Sequence, residues 1–102
     1  MIYDLEYLPM AQQDMINIVS YISHDLSNPA AADKLADEMI EKAEKLRDFP
    51  FKNPVYHPIR PLKYEYRKQL VKNYIMFYYV SENLITVARV IYAHRDFDNL
   101  LV

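Results

Sequence analysis

Tyr74-Ile75-Met76-Phe77-Tyr78-Tyr79-Val80 is the stretch that decides the fold. It has no polar alternation, and an apolar run of this length reads as a strand covered on both faces. Its flanks extend the pattern. Leu62 to Val71 precedes it and Leu84 to Ala93 follows it. The middle and last runs are dominated by β-branched and aromatic residues, which suit a pleated, packed surface. Lys72-Asn73 and Glu82-Asn83 separate the three runs, so two tight hairpins should join three antiparallel strands. Two-residue turns need positive φ. The chain has no glycine, so Asn73 and Asn83 are expected to supply that conformation.

Working outward, 102 residues and 52% hydrophobic content bound the answer to one domain, residues 1–102, with enough apolar surface for a core. There is no cysteine, which excludes a disulfide framework, a thiolate metal site and a cysteine nucleophile. The N-terminus carries no basic-then-apolar leader and no run approaches a membrane span, so a cytoplasmic protein is expected. Net charge is −2, but its distribution is uneven. Residues 1–49 carry ten acidic and four basic side chains; residues 50–95 carry eight basic and two acidic. An acidic half and a basic half can attract an anionic partner despite the overall sign.

Residues 2–8 alternate, with Tyr3, Leu5 and Tyr7 on one side and Asp4 and Glu6 on the other: an outer strand with one wet face. Pro9 suits the first position of a helix. Met15, Val19, Ile22 and Leu26 recur at helical spacing, giving an amphipathic helix of about four turns. Asn28-Pro29 is an N-cap followed by a first-turn proline. Leu35, Met39, Ile40, Ala43 and Leu46 then form a second buried stripe, with Glu41→Lys45 and Glu38→Lys42 as favourable i,i+4 pairs on the wet face. Phe49-Pro50 ends that helix. Pro50, Pro54, Pro58 and Pro61 make residues 50–61 a stiff connector that cannot be a central strand. Phe97, Leu100 and Leu101 could pack as a terminal turn. The order strand, helix, helix, strand, strand, strand is α+β: an N-terminal strand, a two-helix hairpin and a three-stranded antiparallel sheet. The hairpin should cover one sheet face and leave the other open.

That open face is where chemistry is expected. In the first hairpin strand Lys63, Glu65, Arg67 and Gln69 share one side, and Tyr64, Tyr66, Lys68 and Leu70 the other. Arg60, Lys63 and Arg67 would form a positive ridge suited to phosphate. His94 and Arg95 leave the last strand at the sheet rim, and His94 is the best acid/base candidate by residue type. Tyr64 and Tyr92 are candidates for stacking on bases, and Lys68 for contact with a partner. Arg89, mid-strand among apolar neighbours, reads as half of a structural ion pair. His57 reads as a connector loop residue. No metal-ligand spacing, phosphate loop or serine triad is present, so no cofactor is implied.

The run Tyr66 to Val80, with Arg67-Lys68-Gln69 before the turn and a tyrosine-rich strand after it, and Val90-Ile91-Tyr92-Ala93-His94-Arg95-Asp96-Phe97, resembles the RelE/ParE superfamily. The helical hairpin and the proline-bearing connector fit the same resemblance. It implies the toxin half of a bacterial type II toxin–antitoxin module, neutralised by a small antitoxin protein in a hetero-oligomer. RelE-like members cleave mRNA on the ribosome without a metal; this would make the chain an endoribonuclease, with His94 as acid/base and Arg67, Arg95 and Lys63 around the phosphate. ParE-like members bind DNA gyrase and need no catalytic residues; a member that only binds antitoxin is a third case. Carried over by position, Arg67 and Arg95 match basic residues of RelE, and His94 resembles a histidine of the YafQ branch. Gln69 stands where RelE has lysine, Ile75 where it has arginine, and Leu100 and Leu101 in the region of its tyrosine. The ribonuclease is the leading expectation and the gyrase inhibitor the alternative. The antitoxin is expected on the acidic helical hairpin, the sheet edge, or both.

Overall fold

The computed structural model describes residues 2–58, 61–94 and 101. Strand β1 (Asp4–Tyr7) leads into helix α1 (Pro9–Ser20), a π-helical turn (Tyr21–Asp25) and helix α2 (Pro29–Lys45). The connector then feeds β2 (Arg67–Val71), β3 (Tyr74–Ser81) and β4 (Leu84–Tyr92). The expected three-stranded antiparallel set is present, and the N-terminal strand joins it. The sheet is four-stranded and mixed, in the order β1-β4-β3-β2, with β1 parallel to β4. The helices between β1 and β2 make that parallel pairing possible, because it needs a long crossover. The first hairpin strand is shorter than its sequence pattern: it begins at Arg67, not Leu62.

Both helices cover one face. Met39, Ala43 and Leu46 meet Met76, Tyr78, Ile85 and Val87 there, all fully buried. The other face is not left open by the hairpin as expected; it is covered, as the apolar β3 run itself called for. Tyr66, Ile75, Phe77, Ala88, Ile91 and Leu101 form a second buried cluster, with Tyr56 and Leu62 of the connector packed on it. This explains why β3 lacks alternation: both its faces are covered. Phe97 and Leu100 lie outside the described residues.

Local chemistry accounts for the boundaries. The Asn28 side chain accepts a hydrogen bond from the Ala31 N–H at 3.2 Å, with Pro29 following, as its N-cap reading requires. The first helix does not stay α-helical to Leu26. Its last turn widens into the π form, and Ser27 closes it at φ 51°. The wider turn shifts the angular position of the residues after it, so Leu26 leaves the apolar stripe and is 54% exposed. Ile40, expected in the α2 stripe, is also exposed. Lys45 and Glu41 pair at 3.1 Å, whereas Glu38 meets Lys72 of the hairpin turn at 3.7 Å.

Positive φ falls on Lys72 (55°) and Glu82 (56°), the first central residue of each turn, and not on Asn73 or Asn83. A glycine belongs at that first position in the hairpin loops that need only one left-handed residue. A residue with a Cβ costs about 1–2 kcal/mol there. Glu82→Gly is therefore expected to stabilise the fold by about 1 kcal/mol after the larger unfolded-state entropy of glycine is subtracted. Thermal unfolding followed by circular dichroism should show a rise of roughly 4–5 °C; an unchanged or lower midpoint would contradict the strain assigned to the turn.

Beyond Tyr7, β1 no longer covers the edge of β4. Asp14 of α1 takes its place. Its carboxylate accepts from Val90 N–H at 3.0 Å and from Arg89 Nε and Nη2 at 2.7 and 3.0 Å. A bulge lies alongside: Phe77 faces Arg89 while Tyr78 faces Val87, leaving Ala88 unmatched. The ion pair expected of Arg89 is thus bidentate and well shielded, its side chains 12% and 16% exposed. The bond to Asp14 holds the guanidinium above its usual range, against the burial that would lower it.

Candidate functional site

Arg67 was the centre of the expected phosphate ridge. Register places it opposite Tyr78, on the helix-side face with Gln69 and Val71. Its guanidinium is engaged by the connector. Nη1 donates to Asn53 O at 2.6 Å and to Phe51 O at 3.3 Å, Nη2 lies 3.7 Å from Glu65, and the group sits 5.1 Å from the Phe51 ring centroid. Around it the Asn53 amide donates to Gln69 Oε1 (2.8 Å) and to Tyr78 Oη (3.1 Å), and Tyr78 donates to Pro50 O at 2.7 Å. Two backbone bonds extend the attachment, Tyr56 N–H to Tyr66 O and Lys68 N–H to Pro54 O. The outer edge of β2 is thereby covered by residues 54–56. Arg67 and Gln69 hold the connector down. That role was not visible in sequence, because it depends on Asn53, a polar residue among prolines that carried no signal of its own.

Lys63 precedes the strand and lies 5.3 Å from the Tyr64 ring centroid. Tyr64 stacks face to face on Tyr79 at 3.9 Å, with Tyr66 edge-on to both. Lys68 points to the face opposite the helices and sits 5.8 Å from the Tyr56 ring centroid. His94, exposed, stands 5.2 Å from Tyr92, whose ring meets Tyr74. Arg67 pairs with Tyr78 and Tyr92 pairs with Tyr74. Four residues of β3 therefore separate the Arg67 and His94 ends, about 13 Å at about 3.3 Å per residue. Arg67 and His94 are not brought together, nor are Tyr64 and Tyr92. His57 is exposed in the connector. Arg60 and Arg95 lie outside the described residues. Among the described residues no group of three or more His, Cys, Asp or Glu is placed to hold a metal ion. No helix is long and apolar enough to cross a membrane, again among the described residues.

Five tyrosines are held above their ordinary pKa of 10.0, in each case first by burial: Tyr7, Tyr66, Tyr74, Tyr78 and Tyr79. For Tyr78 the Asn53 hydrogen bond and the Arg67 charge pull partly the other way. A raised phenol keeps its proton in the fold at a pH where the unfolded chain has lost it. The stabilisation is complete below about pH 10 and is lost as pH climbs beyond it, by at most about 1.4 kcal/mol per pH unit for each fully retained proton. Tyrosinate absorbance should rise in two steps, the second coinciding with loss of the circular dichroism signal. A single step near pH 10 in the intact fold would contradict the burial of these phenols.

The sequence reading missed an apolar groove on the outer side of the helix pair. Two adjoining hollows of 440 and 320 Å³ share Met15 and Ile16 and are also lined by Val19, Ala36 and Ile40. Ile16 is 60% and Ile40 47% exposed. Asp33, Asp37 and Glu41, all exposed, follow one another at four-residue spacing along α2 beside this floor. The signal was present in Ile16, an apolar residue outside the stripe of Met15, Val19, Ile22 and Leu26.

Comparison with known proteins gives a consistent family. The model for the ParE toxin of the type II toxin–antitoxin system parDE matches residues 5–97. A search of curated proteins finds no match. Among solved structures, a chain from the chromosomal ParDE toxin–antitoxin system of P. aeruginosa superposes with a TM-score of 0.74 at 16% identity, covering 91% of this chain and 98% of its own. A chain of the E. coli DinJ–YafQ toxin–antitoxin complex gives 0.50 at 20% identity, covering 90% and 93%. At these identities the structural likeness is one of fold.

Proposed function

The chain belongs to the ParE toxin family of type II toxin–antitoxin systems, and from that premise we propose that it arrests growth by binding its target, DNA gyrase, without cutting RNA. The observation that carries this reading is the engagement of Arg67. Metal-free RNA cleavage needs cations gathered around the scissile phosphate and an acid and base within reach of it. The Arg67 fork already donates to two connector carbonyls. Ile75, where the RelE resemblance would want arginine, is buried in the apolar cluster of the second face. The described cations are dispersed: Lys63 and Lys68 rest on tyrosine rings and Lys72 is on the turn beside Glu38. A binding inhibitor needs none of them convergent.

The partner in this reading is a cognate antitoxin, and its segment lies in the groove between α1 and α2. Supporting this are the exposed apolar floor at Ile16 and Ile40 and the acidic ridge of Asp33, Asp37 and Glu41. Such a surface fits an amphipathic segment whose apolar stripe is flanked by lysine or arginine.

Exposed His94 at the sheet rim favours a second reading, the ribosome-associated ribonuclease, with His94 as acid. Purified toxin separates the two. It is expected to block supercoiling by gyrase and to leave ribosome-bound mRNA intact. Codon-positioned cuts with unimpaired gyrase would overturn the proposal.

A further inference from the structure

Three tyrosines converge where the π-helical turn meets the open end of the sheet. Tyr21 belongs to that turn, Tyr74 opens β3 and Tyr92 closes β4. Tyr74 and Tyr92 are register partners whose ring centroids lie 5.7 Å apart at 66°. With Asn17, Ile18 and Leu26 the three rings wall a hollow of 710 Å³. Tyr21 is 51% and Tyr92 41% exposed, so both present ring surface to a ligand.

We infer that this tyrosine hollow captures the arginine side chain of a bound protein segment. Aromatic faces carry negative potential, and a planar guanidinium stacks on them while its N–H groups reach phenol oxygens. The rest of the molecule shows the same pairing made internally: Lys63 on Tyr64, Lys68 on Tyr56 and Arg67 on Phe51. Among the described residues, no lysine or arginine lines the tyrosine hollow. The three phenols also lie within one another's field. Ionisation of Tyr74 is disfavoured first by burial and then by Tyr92 and Tyr21, so its ring meets a cation as an uncharged π-face. A single-stranded nucleic acid would need cations along its backbone beside the stacking rings. Lys34 and Lys72 line the adjoining 460 Å³ hollow instead, and Lys72 lies 3.7 Å from Glu38.

The inference concerns the toxin alone and does not depend on its target. Its test is a side-chain NMR titration of the full chain with three probes: N-acetyl-arginine amide, the uncharged isostere N-acetyl-citrulline amide, and a short single-stranded oligoribonucleotide. The arginine probe should shift the Tyr21, Tyr74 and Tyr92 resonances saturably and bind at least threefold more tightly than the citrulline probe. Tyr92→Leu, and separately Tyr21→Leu on the exposed turn, should each weaken it threefold or more while leaving the Tyr64 resonances in place. Equal response to citrulline, response to the oligoribonucleotide only, or shifts confined to the Tyr64–Tyr79 face would each overturn the assignment.

Discussion

Asp14→Ala is expected to lower the melting temperature by roughly 12–25 °C, the equivalent of about 3–5 kcal/mol at about 4–5 °C per kcal/mol for a chain of this size. One carboxylate performs two tasks. It neutralises the shielded Arg89 guanidinium through two hydrogen bonds, and it accepts the Val90 N–H at the point where β1 has ended. Alanine removes both, leaving a shielded charge without its carboxylate and a strand-edge donor without its acceptor. Against a typical total stability of about 5–15 kcal/mol this is a large share. Asp14→Asn keeps an acceptor for Val90 and loses the charge, so its cost should be intermediate. Chemical denaturation of the two variants, followed by circular dichroism, checks the order. A loss below about 1 kcal/mol for Asp14→Ala would mean that Asp14 does not cap this edge.

The second large effect concerns partner binding. Placing a carboxylate on the groove floor, as Ile16→Asp or Ile40→Asp, should weaken antitoxin binding by about 2–4 kcal/mol, roughly 30- to 1,000-fold. Both positions are exposed in the toxin, so neither substitution should cost the free protein more than about 0.5 kcal/mol. That contrast separates a contact effect from misfolding. The acidic ridge sharpens it: Asp33→Asn with Asp37→Asn should slow association and flatten its salt dependence, because rim charges act on encounter more than on the bound state. Calorimetry with the purified antitoxin reads the affinities, and stopped-flow mixing at several salt concentrations reads the rates. Undiminished affinity in Ile16→Asp and Ile40→Asp would move the antitoxin to another surface.

Much of the architecture was legible because short-range chemistry determined it. The β3 run was apolar because both faces are covered, Asn28-Pro29 capped a helix, and Arg89 among apolar neighbours needed a carboxylate. What escaped depended on distant partners or on a change of helical period. The π-helical turn rotates Leu26 out of a stripe that a uniform 3.6-residue period would bury. The turns place positive φ on Lys72 and Glu82, which have no propensity for it, because strand register chose the position. Arg67 looked like part of an exposed ridge, yet pairing with Tyr78 turns it to the helix side, where connector carbonyls receive it. Residue type indicates what a guanidinium can bind; register decides what it meets.

The most direct test of a binding mechanism is the His94→Ala toxin, induced in cells without antitoxin and assayed in parallel for antitoxin binding. The expected result is growth arrest equal to that of the unaltered chain, with gyrase supercoiling still blocked. A variant that binds antitoxin normally but no longer arrests growth would contradict it and make His94 a participant in chemistry.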